Sequence, residues 1–111
     1  MFTLKLISRD AIPTALERAH RYRLLNEPML AESICLDILQ ADPENEQALT
    51  TLLLALTDQF EAKQSAAVKS AMEILHRIRA PYMQMYYKGI ICERQAKSQM
   101  NRHSPSSGHI A

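Results

Sequence analysis

The scarcity of residues that bend a chain is the strongest constraint in this sequence. Only 2 of its 111 residues are glycine and 5 are proline. A many-stranded sandwich or barrel needs turn residues at short, regular intervals, so these numbers exclude such folds. Hydrophobic residues instead recur at spacings of three and four over long stretches, which is the period of an α-helix that buries one face. The sequence therefore predicts an all-α protein.

Composition and charge indicate a cytoplasmic globular protein. The hydrophobic share is 47% and the charged share 23%, and 13 basic against 12 acidic residues leave a net charge of +1. A nearly neutral chain offers no bulk attraction for nucleic acid or anionic membrane. Met1–Asp10 lacks the apolar core of a secretory signal, and Ala48–Leu56 has about half of the ~20 residues needed to span a bilayer. We expect Cys35 and Cys92 to be reduced and buried as small apolar side chains.

Apolar spacing and helix-start signals divide the chain into five helices joined by short turns. Asp10 and Asp42 are placed to cap the first and third helices, with Pro13 and Pro43 in the first turns. Residues 1–9 form an N-terminal segment, and residues 101–111 are predicted to be a disordered tail or linker because they are short and polar. The predicted helices run from about Asp10 to Leu25, Pro28 to Gln40, Pro43 to Asp58, Ser65 to Arg79 and Pro81 to Met100.

The helices repeat with a period close to that of known helical arrays. Tyr22 and Leu56 occupy matching places 34 residues apart, and Ala31 and Ala67 matching places 36 apart. With Pro43 closing the first unit, this pattern resembles the tetratricopeptide repeat (TPR) family, of the small bacterial type. Tyr86-Tyr87-Lys88-Gly89 is similar to the segment that opens a further unit. The chain has no tryptophan, and Arg79 stands where a proline would close the second unit.

The resemblance implies a short right-handed solenoid of stacked antiparallel helix pairs. The helical domain spans residues 10–100, with units at about 12–45 and 46–80 and a partial unit at 81–100. Each helix pair buries its apolar face against the next pair, so the core is continuous along the stack.

The resemblance also implies a protein-interaction module that binds a peptide or helix of a partner in a concave groove. Apolar contacts would come from Leu54, Tyr86 and Ile90, and polar neighbours would set the orientation of the bound segment. Family members that grip a C-terminal carboxylate use lysine and asparagine, where this chain has Leu16 and His20. That binding mode is not expected here. The groove candidates are Leu16, His20, Arg23, Thr50, Leu54, Thr57, Tyr86, Ile90 and Glu93.

The fifth helix is apolar around most of its circumference, with only Gln84 and Lys88 forming a polar edge. A helix that ends a repeat stack needs a polar outer face, so this one is expected to be covered on both sides. The cover is a natural continuation past Ala111, a second copy of the chain or a different protein. The second source gives an alternative function, a self-assembling regulatory subunit. Its oligomer contacts would be Tyr82, Met83, Tyr87 and Ile91.

Arg18, Arg21 and Arg23 support a third function, a nucleic-acid-associated regulator. Glu17 lies beside them and no aromatic side chains are interleaved for base stacking, so a solvated helix face is the favoured interpretation.

No residue pattern points to catalysis, a metal or a cofactor. Neither His20 nor His76 has a histidine four residues away or another Cys, His or carboxylate placed to make a metal site, and neither cysteine has a paired histidine. Two glycines are too few to build a phosphate-binding loop. We therefore expect a protein that is not an enzyme and holds no cofactor or metal.

Overall fold

The computed structural model describes residues 7–103, with side chains through residue 101, and within this range the chain is helical without any strand. The prediction of an all-α protein with five helices is confirmed for these residues. A short 3-10 turn at Arg9–Ala11 precedes the first helix. The helices are α1 (Ile12–Leu24), α2 (Pro28–Ala41), α3 (Glu46–Thr57), α4 (Gln64–Leu75) and α5 (Pro81–His103). The tail predicted at 101–111 is helical through His103, and residues 1–6 and 104–111 lie outside the described range.

The chain forms two compact units, Met1–Ala55 and Leu56–Ala111, which divide within α3. In the first unit α1 packs against α2. Small residues sit at the centre of this unit, and Ala19, Ala31 and Cys35 have no exposed surface. Their size lets helices approach closely, because the distance between packed helices depends on the side chains at the contact. The larger buried side chains of this unit are Ile12, Leu16, Ile38, Leu39, Leu49, Leu52 and Leu53.

The turn between α1 and α2 depends on Asn26. The Asn26 amide donates to the Arg23 carbonyl at 3.0 Å and the Glu27 amide donates to the Tyr22 carbonyl at 2.8 Å. These two bonds satisfy the last carbonyls of α1 in a Schellman motif. Asn26 has a φ of 62°, the left-handed conformation that this motif requires. Pro28 then starts α2, as predicted.

Replacing Asn26 with glycine should raise the free energy of unfolding by about 0.5–1 kcal/mol, because glycine adopts a positive φ without a steric cost. Replacing Asn26 with alanine should lower it by about 1 kcal/mol. Urea unfolding followed by circular dichroism measures both changes. Ser33→Gly is the control, since the same residue placed within α2 should destabilise by about 0.5 kcal/mol. A stabilising Asn26→Ala would contradict the assigned turn.

The predicted caps of α1 and α3 are wrong. Asp10 lies within the 3-10 turn, and Ala11, which precedes α1, makes no side-chain capping bond. Pro13 does occupy the first turn of α1, as predicted. At α3 the cap is Asn45, whose Oδ1 accepts from the Ala48 amide at 2.8 Å.

Asp42 has a different role at this junction. The Asn45 amide donates to the Asp42 carbonyl at 3.0 Å, so residues 42–45 form a β-turn with Pro43 in its second position. The fixed φ of proline suits that position as well as it suits the start of a helix, which is why the helix begins three residues later than predicted. The Asp42 carboxylate accepts from the Asn45 side-chain amide at 3.2 Å and pairs with Arg9 at 3.9 Å.

In the second unit α4 packs against α5, and Ala67, Ala71, Ile74 and Leu75 of α4 are buried. The connection between α3 and α4 contributes a core residue as well. Phe60 is only 1% exposed and is the largest fully buried side chain of the described residues.

Helix α4 ends four residues earlier than predicted. The Gln84 side-chain amide, from α5, donates to the Ile78 carbonyl at 2.7 Å and to the Leu75 carbonyl at 3.4 Å. His76 Nδ1 lies 2.7 Å from the Met72 carbonyl, to which it donates as the Nδ1–H tautomer. Carbonyls at a helix end need such donors. A bond that reaches back from the next helix therefore stabilises the end of α4.

Candidate interaction surface on the fifth helix

The groove residues predicted in the first unit differ in accessibility. His20 is exposed, and Arg23, Thr50 and Leu54 are partly exposed. Leu16 is buried, so its prediction as a groove contact is wrong. Leu16 follows the buried Ala15 and precedes the buried Ala19 by one turn, which places it on the core face of α1.

The groove residues predicted in the second unit show a similar split. Tyr86 and Glu93 are exposed and Ile90 is partly exposed, whereas Thr57 is buried. The Thr57 hydroxyl accepts from Arg94 Nη1 at 3.4 Å, so this residue serves the fold and its prediction as a contact is wrong. The remaining groove residues come from both units, and their joining into one surface stays a prediction.

Among the predicted oligomer contacts, Tyr82 is 77% exposed and Met83 and Tyr87 are partly exposed. Ile91 is 1% exposed and therefore cannot contact another molecule. Its position explains this, because Ile91 follows Tyr87 by one turn on the side of α5 that carries the buried Ser98.

The inner face of α5 is fixed by side-chain hydrogen bonds to the segment 57–61. Arg94 Nη1 pairs with the Asp58 carboxylate at 3.1 Å. One turn later the Ser98 hydroxyl donates to the Phe60 carbonyl at 3.4 Å, and the Asn101 amide donates to the Glu61 carboxylate at 2.7 Å. These contacts set the rotation of α5 about its axis. The inner face comprises Gln84, Tyr87, Ile91, Arg94, Ser98 and Asn101, at alternating spacings of three and four.

The opposite side of α5, here called the outer face, is exposed along its whole length. Tyr82, Met85 and Met100 are 77%, 76% and 71% exposed, and Tyr86 is 57% exposed. The rings of Tyr86 and Tyr87 meet edge to face, with centroids 5.0 Å apart and planes at 84°. This contact holds Tyr86 in a defined orientation. The outer face comprises Tyr82, Met85, Tyr86, Gly89, Glu93, Ala96 and Met100.

Sequence reasoning missed Ala96 and Met100 as surface candidates and missed the inner polar residues Arg94 and Ser98. The recurrence that separates the two sides has a period of seven residues and shows in burial, not in residue type. Residues 82, 89 and 96 are exposed, whereas 91 and 98 are buried. Because seven residues make about two helical turns, each set defines one side of the helix. Within the described residues only the inner face of α5 is covered, so the cover expected on its other side stays a prediction.

A shallow cavity of about 380 Å³ lies beside the outer face and is lined by Met72, Leu75, His76, Gln84, Met85 and Lys88. Its Gln84 amide is already bonded to carbonyls at the end of α4. In the described part of the chain, no three His, Cys, Asp or Glu side chains are grouped as metal ligands would be.

The two cysteines have different environments. Burial raises the pKa of the Cys35 thiol from 9.0 to about 12, and the nearby negative charge of Glu32 adds to the shift. Cys92 is exposed, so the expectation that it is buried is wrong. It lies on the side of α5 that faces away from the buried Ile91 and Ser98.

One thiol per chain should react rapidly with a chromogenic disulfide reagent at pH 8, and it should be Cys92. Cys35 should react only after unfolding in urea, because its thiol is buried and stays protonated. The variant Cys92→Ser should lose the rapid phase and Cys35→Ser should keep it. Two rapid thiols in the folded protein would contradict the buried position of Cys35.

The Cys35 thiol should make the free energy of unfolding depend on pH. A raised pKa means that the folded state favours the neutral thiol, so ionisation of Cys35 does not affect the free energy of unfolding below about pH 9. Between about pH 9 and 12 the unfolded chain releases this proton and the folded chain does not, so stability falls as pH rises. Cys35→Ala should show a smaller loss of stability over this interval than the original chain.

No helix in the described residues is both long enough and apolar enough to cross a membrane. No protein-family model, no curated protein and no solved structure matches the chain.

Proposed function

We propose that this protein is a non-enzymatic interaction module that binds an α-helix or peptide of a partner protein. The observation that carries the proposal is the outer face of α5. Tyr82, Met85 and Tyr86 lie on one side of α5 within little more than one helical turn and are each more than half exposed. Contiguous apolar surface of this kind marks interaction sites, and tyrosine and methionine are enriched at them.

The spacing of the outer face favours a helical partner segment. Tyr82, Tyr86, Gly89, Glu93 and Ala96 follow one another at four, three, four and three residues. Two helices that pack side by side contact each other through residues with this alternation. An amphipathic helix bound in a groove also makes its contacts through residues three and four apart.

The inner face supports the proposal as well. Arg94, Ser98 and Asn101 hold α5 in one rotation through their bonds to the segment 57–61. The outer face therefore needs little ordering before it binds, which reduces the free-energy cost of association.

We also propose that the chain is a helical-repeat protein of the TPR type and that it is cytoplasmic. The resemblance to TPR proteins supports a binding role for α5. Three residues of the predicted groove lie on this helix and are exposed or partly exposed, namely Tyr86, Ile90 and Glu93. Cys35 and Cys92 are free thiols, which favours a reducing compartment such as the cytoplasm.

Capture of partner proteins from an extract of the source organism tests this function. The double variant Met85→Ser with Tyr86→Ser should lower the captured amount at least about tenfold, because truncating apolar anchors at the centre of an interface typically costs 2 kcal/mol or more. The matched control is Leu24→Ser with Leu25→Ser, which also removes two exposed apolar side chains but at the α1–α2 turn. Capture that survives the first variant and is lost with the second would contradict the proposal.

A further inference from the structure

We infer that the helix bound by the outer face is α5 of a second copy of this chain, in an antiparallel pair centred at residue 91. The inference names the partner of the proposed surface and therefore rests on the proposed function. Four observations support it: the sequence of large and small residues along the face, an unexplained glycine, the charge of the face and its area.

The order of side-chain sizes along the outer face is self-complementary in the antiparallel sense. In a pair centred at residue 91, Tyr82 lies opposite Met100, Tyr86 opposite Ala96 and Gly89 opposite Glu93. Each tyrosine thus meets a smaller or flexible side chain, and the stem of Glu93 packs over a residue without a side chain. A parallel pair would place Tyr86 against Tyr86 and Glu93 against Glu93, with two bulky rings and two negative charges in contact.

Gly89 has no role within the described fold that would require glycine. It lies inside α5, where glycine costs about 1 kcal/mol relative to alanine. A Cβ atom built at this position would meet no atom within 4 Å, so packing within the chain does not exclude a larger residue. In the antiparallel pair its small size is needed, because the second helix passes close to it.

Charge and area both fit a second copy. The only charged member of the outer face is Glu93, and Lys97 follows it one turn later, so the region carries no net charge that would repel an identical one. Tyr82, Met85, Tyr86 and Met100 are 57–77% exposed, which amounts to about 500 Å² of exposed side chain, or about 1,000 Å² in a pair. This area lies near the lower limit for specific interfaces, so we expect a reversible dimer.

Sedimentation equilibrium over a wide concentration range tests the pairing. The full chain should pass from monomer to dimer as concentration rises. The variants Tyr86→Lys and Ala96→Glu should each weaken the dimer at least about tenfold, while circular dichroism shows that both remain helical. The control is Ala66→Glu, the same substitution at an exposed alanine of α4, which should leave the dimer unchanged.

Mixing the two weakened variants tests the antiparallel register. In this register the introduced lysine lies opposite the introduced glutamate, and the original Tyr86 and Ala96 still meet at the second contact. The mixture should therefore associate more tightly than either variant alone. A mixture that associates no better than the separate variants overturns the register.

The remaining outcomes are equally decisive. A chain that stays monomeric at the highest concentration overturns the inference, as does a dimer that survives both Tyr86→Lys and Ala96→Glu. A monomeric chain whose captured partner is lost with Met85→Ser and Tyr86→Ser overturns the second copy and leaves the proposed function supported. A dimer without such a captured partner supports the second copy.

Discussion

Replacing Phe60 with alanine should lower the free energy of unfolding by about 3–5 kcal/mol, a large part of the stability of a domain of this size. Phe60 is 1% exposed, so the substitution removes a whole aromatic side chain from the core and leaves a cavity. Its carbonyl also accepts from the Ser98 hydroxyl at 3.4 Å, which ties the same residue to α5. Urea unfolding followed by circular dichroism measures the change.

Tyr82→Ala is the matched control for Phe60. It removes an aromatic side chain that is 77% exposed, so stability should change by no more than about 0.5 kcal/mol. Equal losses for the two variants would show that Phe60 is not a core residue and that the connection between α3 and α4 is open to solvent.

Replacing Ile91 with alanine should lower the free energy of unfolding by about 2–5 kcal/mol and leave the oligomeric state of the folded protein unchanged. Ile91 is 1% exposed and lies on the inner face of α5, between Tyr87 and Arg94. The sequence had suggested that this residue contacts a second chain. An oligomer contact would give the opposite result, with lost association and little change in monomer stability.

The neighbouring Ile90 provides the comparison, since Ile90→Ala removes the same atoms from a partly exposed position on the same helix. Its effect on stability should be clearly smaller, because less apolar surface is withdrawn from water when the residue folds. Unfolding in urea and sedimentation equilibrium on both variants separate the two roles. If Ile90→Ala destabilises more than Ile91→Ala, α5 is rotated relative to the structure described above.

The two faces of α5 are expected to affect different properties of the protein. Its inner face, through Ile91, Arg94 and Ser98, holds the second unit together, and its outer face is exposed. Substitutions on the inner face should change stability, whereas substitutions at Met85, Tyr86 or Ala96 should change binding and leave the fold intact. The two properties are therefore separable by mutation along a single helix.

The helices were predictable because local patterns specify them. The spacing of apolar residues identified all five, and Pro28 and Pro81 marked the starts of α2 and α5 correctly. The break between the first two helices was predicted too, and in the structure it depends on the left-handed Asn26.

Helix ends were less predictable because they depend on competition between similar local signals or on distant contacts. Asp42 and Asn45 are both good capping residues, and only the β-turn around Pro43 decides that Asn45 caps α3. The end of α4 depends on the Gln84 amide, which lies nine residues from the Leu75 carbonyl that it binds. No local pattern reveals such a bond.

The candidate surface on α5 was predicted only in part, because its position also depends on distant contacts. The sequence showed that α5 has too much apolar surface for a solvated helix, and it named Tyr82 and Tyr86 among the contacts. It could not assign the two sides of the helix, because apolar residues occur on both. Ile91 was therefore placed on a surface although it is buried.

The sequence by itself determined that this protein is helical, where its helices lie and that its last helix carries more apolar side chains than one face can hold. These properties follow from periodicity and composition, which act between residues close along the chain. Only the tertiary structure decided which side of that helix is covered, because the rotation of α5 is set by Arg94, Ser98 and Asn101 reaching the segment 57–61, some 36 to 40 residues away. The same rotation leaves Tyr82, Met85 and Tyr86 in water.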